Sequence, residues 1–270
     1  MRVVMAAGIL LGAGRAGADA QFVTLDRGSE GTRFGVETSL SSTEYATDPV
    51  SRTTVVRAEL YGQYMVTPVL GGYGKLPVSY AYDQYDKDGD GEGSLRTHNA
   101  ELGALFAHRV APAFGVIAQV GLVLPTLNDD ALIEERLRFD GSRAADALLS
   151  SASRVTALRF SVSPNVRRGS LFARADLGVD VVLAHKETEV GGPVDTVMPR
   201  GGVGVGYAIG RLAIGAEAAL YDPGGDAMLA TAAVSARFAA GAYHPYAALV
   251  VPIDDRYVDL AVTIGLEVAP

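Results

Sequence analysis

Between Arg33 and Val268 the chain is built from segments in which apolar and polar side chains alternate residue by residue. Period-two alternation puts one set of side chains on each face of a strand; a helix would repeat every 3.6 residues. Over 56–66, the residues Val56, Ala58, Leu60, Gly62, Tyr64 and Val66 share one face, while Arg57, Glu59, Tyr61 and Gln63 share the other. Over 171–183, every second residue from Leu171 to Leu183 is apolar, and Arg174, Asp176 and Asp180 take the opposite parity. The same criterion predicts about twelve strands, near 32–40, 53–67, 69–82, 96–110, 114–125, 156–166, 171–184, 199–208, 212–221, 228–239, 243–252 and 256–268.

Most of these segments are longer than the roughly five or six residues usual in soluble strands and match the roughly 9 to 11 needed to cross a bilayer at a tilt. Their connections alternate. Tight turns at 67–68, 111–113, 167–170, 209–211 and 240–242 are interleaved with longer polar stretches at 41–52, 83–95, 127–154, 185–198 and 222–227. Short turns on one side and long loops on the other are the pattern of an up-and-down barrel in an outer membrane. The expected fold is all-β: an antiparallel transmembrane β-barrel of about twelve strands over 21–270, with an acidic outer loop at 83–95 and a long outer loop at 127–154. A lumen this wide is not filled by side chains as small as those of Ala100, Ala104, Ala230 and Ala232, so the apolar face must look toward lipid. Asp88, Glu135 and Glu189 are then outside, and Pro112, Gly169 and Gly210 periplasmic. Tyr64, Phe106, Phe114, Tyr207, Phe238 and Tyr243, all near tight turns, would form an aromatic girdle.

Residues 1–20 read as a cleaved export signal: a basic residue at Arg2, an apolar run over 3–14, and small residues ending Ala18-Asp19-Ala20. The run is shorter than the roughly 20 residues of a spanning helix. Export implies the outer membrane as location, with the lipid bilayer, lipopolysaccharide and the outer-membrane assembly machinery as partners. The absence of cysteine excludes disulfides and thiolate metal sites, and the net charge of -8 offers nucleic acid no basic footprint.

The inward parity gathers charges of both signs: Arg57, Glu59, Glu101, Arg159, Arg174, Asp176, Asp180, Arg200, Glu217, Arg237 and Asp259 are the candidate lumen or solute-path residues, with Arg33, Glu37, Lys75, Arg109 and Glu267 on the same face. Mixed signs argue against strong selection by charge and favour a salt-bridged interior that narrows the channel. Gly202, Gly204, Gly206, Ala213, Gly215 and Ala219 leave a smooth stretch of inner wall against which an inserted loop or a permeating molecule would lie. Leu76-Pro77, Leu124-Pro125 and Val251-Pro252 predict bulges or strand ends, because proline has no N–H for the ladder.

Asp86, Asp88 and Asp90 alternate ahead of Gly91 like the start of a calcium loop, but the twelfth position is Thr97 and no helix precedes them. Calcium is the one cofactor considered; a solvated acidic loop is the default. Lipid-cutting barrels need a Ser or Thr nucleophile beside a His, and none of His98, His108, His185 and His244 stands in a His-x-Ser arrangement. No catalytic residue is assigned.

Signal, strand count and loop alternation resemble the Gram-negative outer-membrane β-barrel proteins over the whole chain after the signal. Gly121-Leu122-Val123-Leu124-Pro125-Thr126 is similar to the G-L-x-L-P-T strand end of predicted outer-membrane transporters associated with phenol-degradation (meta-pathway) clusters. That resemblance implies uptake of small organic compounds, hydrophobic ones included. Fatty-acid channels carry an N-terminal plug, which the short 21–31 segment is not expected to supply. The function expected is a passive channel or transporter for small solutes. The alternatives are a sealed structural or adhesive barrel and, behind it, a lipid-modifying enzyme.

Overall fold

The computed structural model describes residues 22–25, 27–44, 52–84, 91–126, 149, 155–184, 197–222, 228–253 and 260–270. The export signal at 1–20, the aspartates Asp86, Asp88 and Asp90, and Asp259 lie outside these. Among the described residues thirteen strands run in chain order: β1 (Arg33–Glu44), β2 (Arg52–Met65), β3 (Leu70–Gln84), β4 (Gly91–Thr97), β5 (Ala100–Ala111), β6 (Phe114–Leu124), β7 (Thr156–Arg168), β8 (Leu171–Ala184), β9 (Val197–Ile209), β10 (Leu212–Tyr221), β11 (Leu229–Phe238), β12 (Tyr243–Pro252) and β13 (Leu260–Val268). Chain neighbours pair antiparallel except β4 with β5, and β1 pairs with β13 from Phe34↔Val268 to Ser42↔Leu260, which closes the cylinder. β4 and β5 are two halves of one stave: β3 pairs with β5 over Leu70–Lys75 and with β4 over Val78–Gln84. The barrel therefore has twelve staves.

The stave breaks at His98-Asn99, opposite Leu76 and Pro77 of β3. His98 donates its backbone N–H to the Pro77 carbonyl at 3.1 Å, and Thr126 Oγ1 accepts the Ala100 N–H at 2.8 Å while donating to the His98 carbonyl at 2.7 Å. The other two prolines behave as strand ends: β6 stops at Leu124 and β12 at Pro252. The long-loop rim is taller than the sequence pattern implied. Asp83↔Glu92 and Gln84↔Gly91 are paired, so the connection expected at 83–95 shrinks to 85–90. Here a ladder between two polar edges persists beyond the apolar alternation, because backbone hydrogen bonds do not depend on side-chain type. At the opposite rim, Gly169, Gly210 and Gly241 turn with φ of 63°, 60° and 66°, the left-handed region that glycine enters without a Cβ clash.

The faces are inverted relative to a water-soluble barrel. Leu60, Leu102, Leu177, Val203, Val234 and Ile264 are 56–66% exposed on the outside, while Glu37, Glu59, Arg57, Arg159, Asp180 and Glu267 are at most 2% exposed inside. A continuous apolar belt of this kind far exceeds what a soluble surface presents and requires lipid. Tyr64, Phe106, Tyr207, Phe238 and Tyr243 are exposed near the short-turn rim, as a girdle demands. Slipping β8 by one residue would swing Arg174, Asp176 and Asp180 into lipid, at roughly 2 to 4 kcal/mol for an arginine near the midplane and less for the acids.

Candidate functional site

Along the barrel axis the inner wall changes character. At the long-loop mouth it is apolar, with Val123, Val155, Ala157, Val182, Met198, Tyr221 and Leu229 packed around Leu149. Leu149 belongs to the connection after β6, and its carbonyl accepts a hydrogen bond from Asn99 Nδ2 at 2.8 Å. The long connection therefore reaches into the mouth at this point.

Below the mouth lies a charged waist. Arg159 holds Asp180 in a two-pronged contact (Nε 3.0 Å, Nη2 3.1 Å) and reaches Glu101 at 2.9 Å. Glu101 also meets Lys75 at 3.3 Å and accepts the Tyr73 hydroxyl at 2.6 Å, and Arg200 meets Asp180 at 3.3 Å. Arg174 pairs with Asp176 at 2.8 Å, Arg57 with Glu59 at 2.6 Å, and Glu267 with both Arg33 and Arg237. Every lumen candidate among the described residues thus faces inward in contact with a polar partner, as buried charges require. Arg109 is the exception on its parity: it sits at the short-turn rim, 63% exposed in its side chain, and pairs with Glu30.

The segment before β1 runs through this waist, contrary to the expectation that 21–31 is too short to act as a plug. Glu217 accepts the Val23 N–H at 2.7 Å, the Thr24 N–H at 2.9 Å and the Thr24 hydroxyl at 2.8 Å. Arg27 lies between Glu37 (2.7 Å) and Glu59 (3.0 Å), donates to the Tyr246 hydroxyl at 3.2 Å, and stacks 3.9 Å from the Tyr61 ring centre. The Gly28 carbonyl accepts from Arg174 Nη1 at 2.7 Å, and Gln63 Nε2 donates to the carbonyls of Ser29 and Gly31, each at 2.7 Å. A whole plug domain is unnecessary because long inward Arg and Glu side chains already narrow the lumen. The smooth wall has the role foreseen for it, with this strap as the occupant: a Cβ on Gly202 would overlap Leu25, and one on Gly204 would come within 2.6 Å of Phe22. Phe22 in turn packs on Phe172 at a ring distance of 5.8 Å.

Burial works to lower the Arg27 pKa, but Glu37, Tyr246 and Glu59 more than offset it, so the guanidinium stays charged. A cavity below the mouth, lined by Arg57, Lys75, Asn99, Glu101, Leu149 and Arg159 among others, has a volume of about 10 Å³, the space of about one water.

Sequence reading missed Arg27, Leu149 and the Ser79–His98 contact. Ser79 Oγ lies 2.6 Å from His98 Nε2, a hydroxyl–imidazole pair that no His-x-Ser spacing announced. Both side chains are enclosed in the wall, 1% and 2% exposed, which keeps an ester from the hydroxyl. Their place beside the stave break assigns them to holding it.

A closed cylinder with an apolar exterior and a charged, occupied interior leaves one fold class. The chain is an outer-membrane-type β-barrel. No protein family matches its sequence, and no curated protein is detectably similar to it. Among solved structures it is similar to the COG4313 outer membrane channel from Pseudomonas putida F1, at 14% identity and TM-score 0.62, over 93% of this chain and 100% of that one. It is also similar to the NanC porin, at 10% identity and TM-score 0.58 over 88% of this chain and 100% of that one. The β domain of the Bordetella autotransporter BrkA aligns at 14% identity and TM-score 0.50, over 90% of this chain and 100% of that one. These likenesses are of fold, and the same fold serves channels and an autotransporter, so function must be argued from the lumen.

Proposed function

We propose that this barrel is an outer-membrane channel for the passive passage of small solutes, gated by its own strap over 22–31. The carrying observation is that the element crossing the waist is not part of the wall. It is joined to the wall by hydrogen bonds and ion pairs to Glu217, Glu37, Glu59, Gln63 and Arg174, contacts that water and solute groups also make. Displacing the strap leaves every strand pairing intact and opens the waist. The COG4313 channel and the NanC porin, which share the fold, are themselves a channel and a porin, which supports this reading. Apolar patches border the waist, around Leu149 at the mouth and, among charged wall residues, around Phe172, Ala213 and Ala239 on the other side. That lining suits organic solutes carrying both apolar and polar parts, in keeping with the uptake of small organic compounds implied by the 121–126 sequence.

Single-channel recording in planar bilayers tests the proposal, comparing the parent with a variant lacking 22–31. Both should show the heat-modifiable gel mobility of a folded barrel, and the deletion should conduct severalfold more. A folded deletion variant that does not conduct would leave a sealed scaffold as the function.

A further inference from the structure

Glu37 and Glu59 stand directly opposite each other in the β1–β2 ladder, and both are 1% exposed. Like charges in that position repel, and burial strengthens the repulsion. Arg57 of the wall meets Glu59 at 2.6 Å, and a second cation comes from outside the wall: the Arg27 guanidinium sits between the two carboxylates, over the Tyr61 face and against the Tyr246 hydroxyl. Tyr246 itself donates to Glu37 at 2.6 Å. Both tyrosines are held flat by glycine, since a Cβ on Gly35 would overlap the Tyr61 ring and one on Gly265 the Tyr246 ring. Two carboxylates, an aromatic face and a hydroxyl acceptor are the complement of a planar, multiply donating cation. All of them belong to the wall, and only the guanidinium belongs to the strap.

We infer that Glu37, Glu59, Tyr61 and Tyr246 form a guanidinium receptor in the lumen wall, that Arg27 occupies it as a tethered ligand, and that a guanidinium-bearing organic cation takes its place when the strap leaves. The first part is independent of the channel reading; the passage of such a solute rests on it. A tethered arginine competes at high effective concentration, so the receptor is shielded from free cations until the strap moves. A solute that binds there also holds the strap out, which couples its own presence to opening.

The probe is the guanidinium ion itself. Purified Arg27→Ala barrel is titrated by calorimetry with guanidinium, sodium and tetramethylammonium chlorides at millimolar concentrations, beside Arg27→Ala carrying Glu37→Gln and Glu59→Gln. The expected result is saturable guanidinium binding on the order of tenfold tighter than either other cation, lost in the glutamine variant. Equal weak binding of all three cations, or guanidinium binding that survives both glutamine substitutions, would overturn the receptor. If Arg27→Ala folds poorly, refolding yield becomes the readout: rescue by guanidinium but not by sodium supports the receptor, and equal yields refute it. In bilayers, guanidinium should reduce Arg27→Ala conductance severalfold more than sodium at equal ionic strength. A variant that binds guanidinium but never conducts sinks the channel reading and keeps the receptor; one that conducts and ignores guanidinium does the reverse.

Discussion

Two segments enter the barrel from opposite rims, and they are held by different physics. At the long-loop mouth, Leu149 is 1% exposed in a cluster with seven apolar residues, and its carbonyl accepts a hydrogen bond from Asn99. At the waist, the strap packs Val23 and Phe22 on the wall and is held as well by directional contacts to charged wall groups, with Arg27 and Glu217 as the principal polar anchors. Apolar packing is lost whenever Leu149 moves, because no other group in water replaces it. The strap's polar partners, unlike its apolar contacts through Phe22, Val23 and Leu25, are replaceable one for one by water or by a solute of matching charge, so the strap is the more exchangeable of the two elements. Charge reversal and cavity creation should therefore have different consequences at the two places.

The largest expected effect is from Arg27→Glu, which puts a third carboxylate between Glu37 and Glu59. Breaking a buried ion pair costs about 3 to 5 kcal/mol, and here that cost falls on docking of the strap rather than on the ladder. The variant should conduct like the deletion of 22–31 while its barrel keeps heat-modifiable mobility. A closed Arg27→Glu channel would mean that the strap is held mainly by Phe22 and Leu25.

Next in size is Leu149→Ala, with a local loss of about 2 to 5 kcal/mol for a buried leucine that leaves a cavity. Limited proteolysis should cut the long connection sooner in this variant. Conductance should stay at the parent level as long as the strap is present, and a conducting Leu149→Ala protein would move the gate from the waist to the mouth.

Gly204→Val probes the strap from the wall side. A Cβ there comes first against the Phe22 ring, at an overpacking cost of about 1 to 3 kcal/mol. It should give intermittent openings, intermediate between the parent and Arg27→Glu. The smallest effect belongs to Arg109→Ala, whose partner Glu30 is solvent-accessible at the rim. A change of about 0 to 1 kcal/mol is expected, with conductance indistinguishable from the parent.

Most of the wall was legible in the sequence. β8, β10 and β12 fall on the predicted bounds, and the inward charges lie where parity put them, because a half-buried strand writes its two environments into alternate residues. The break between β4 and β5 was not legible. His98-Asn99 carries no proline or glycine of its own, and the proline responsible stands on the neighbouring strand. The strap was missed for a related reason: ten residues without periodicity acquire meaning only from the groups they meet. One clue existed in Glu37 and Glu59, both on the inward parity. Reading it required knowing that they are opposite, and that register is set across the 45–51 connection by pairing, not by either strand alone.

The sequence by itself determined the strands, their number, the face turned to lipid and the mixed charge of the lumen, since each follows from the order of neighbouring residues and the solvent each face must meet. Only the tertiary structure decided what stands in the lumen and what each wall charge holds. Contacts such as Val23 with Glu217 join residues far apart in the chain, and closure of β1 on β13 is what brings them within reach.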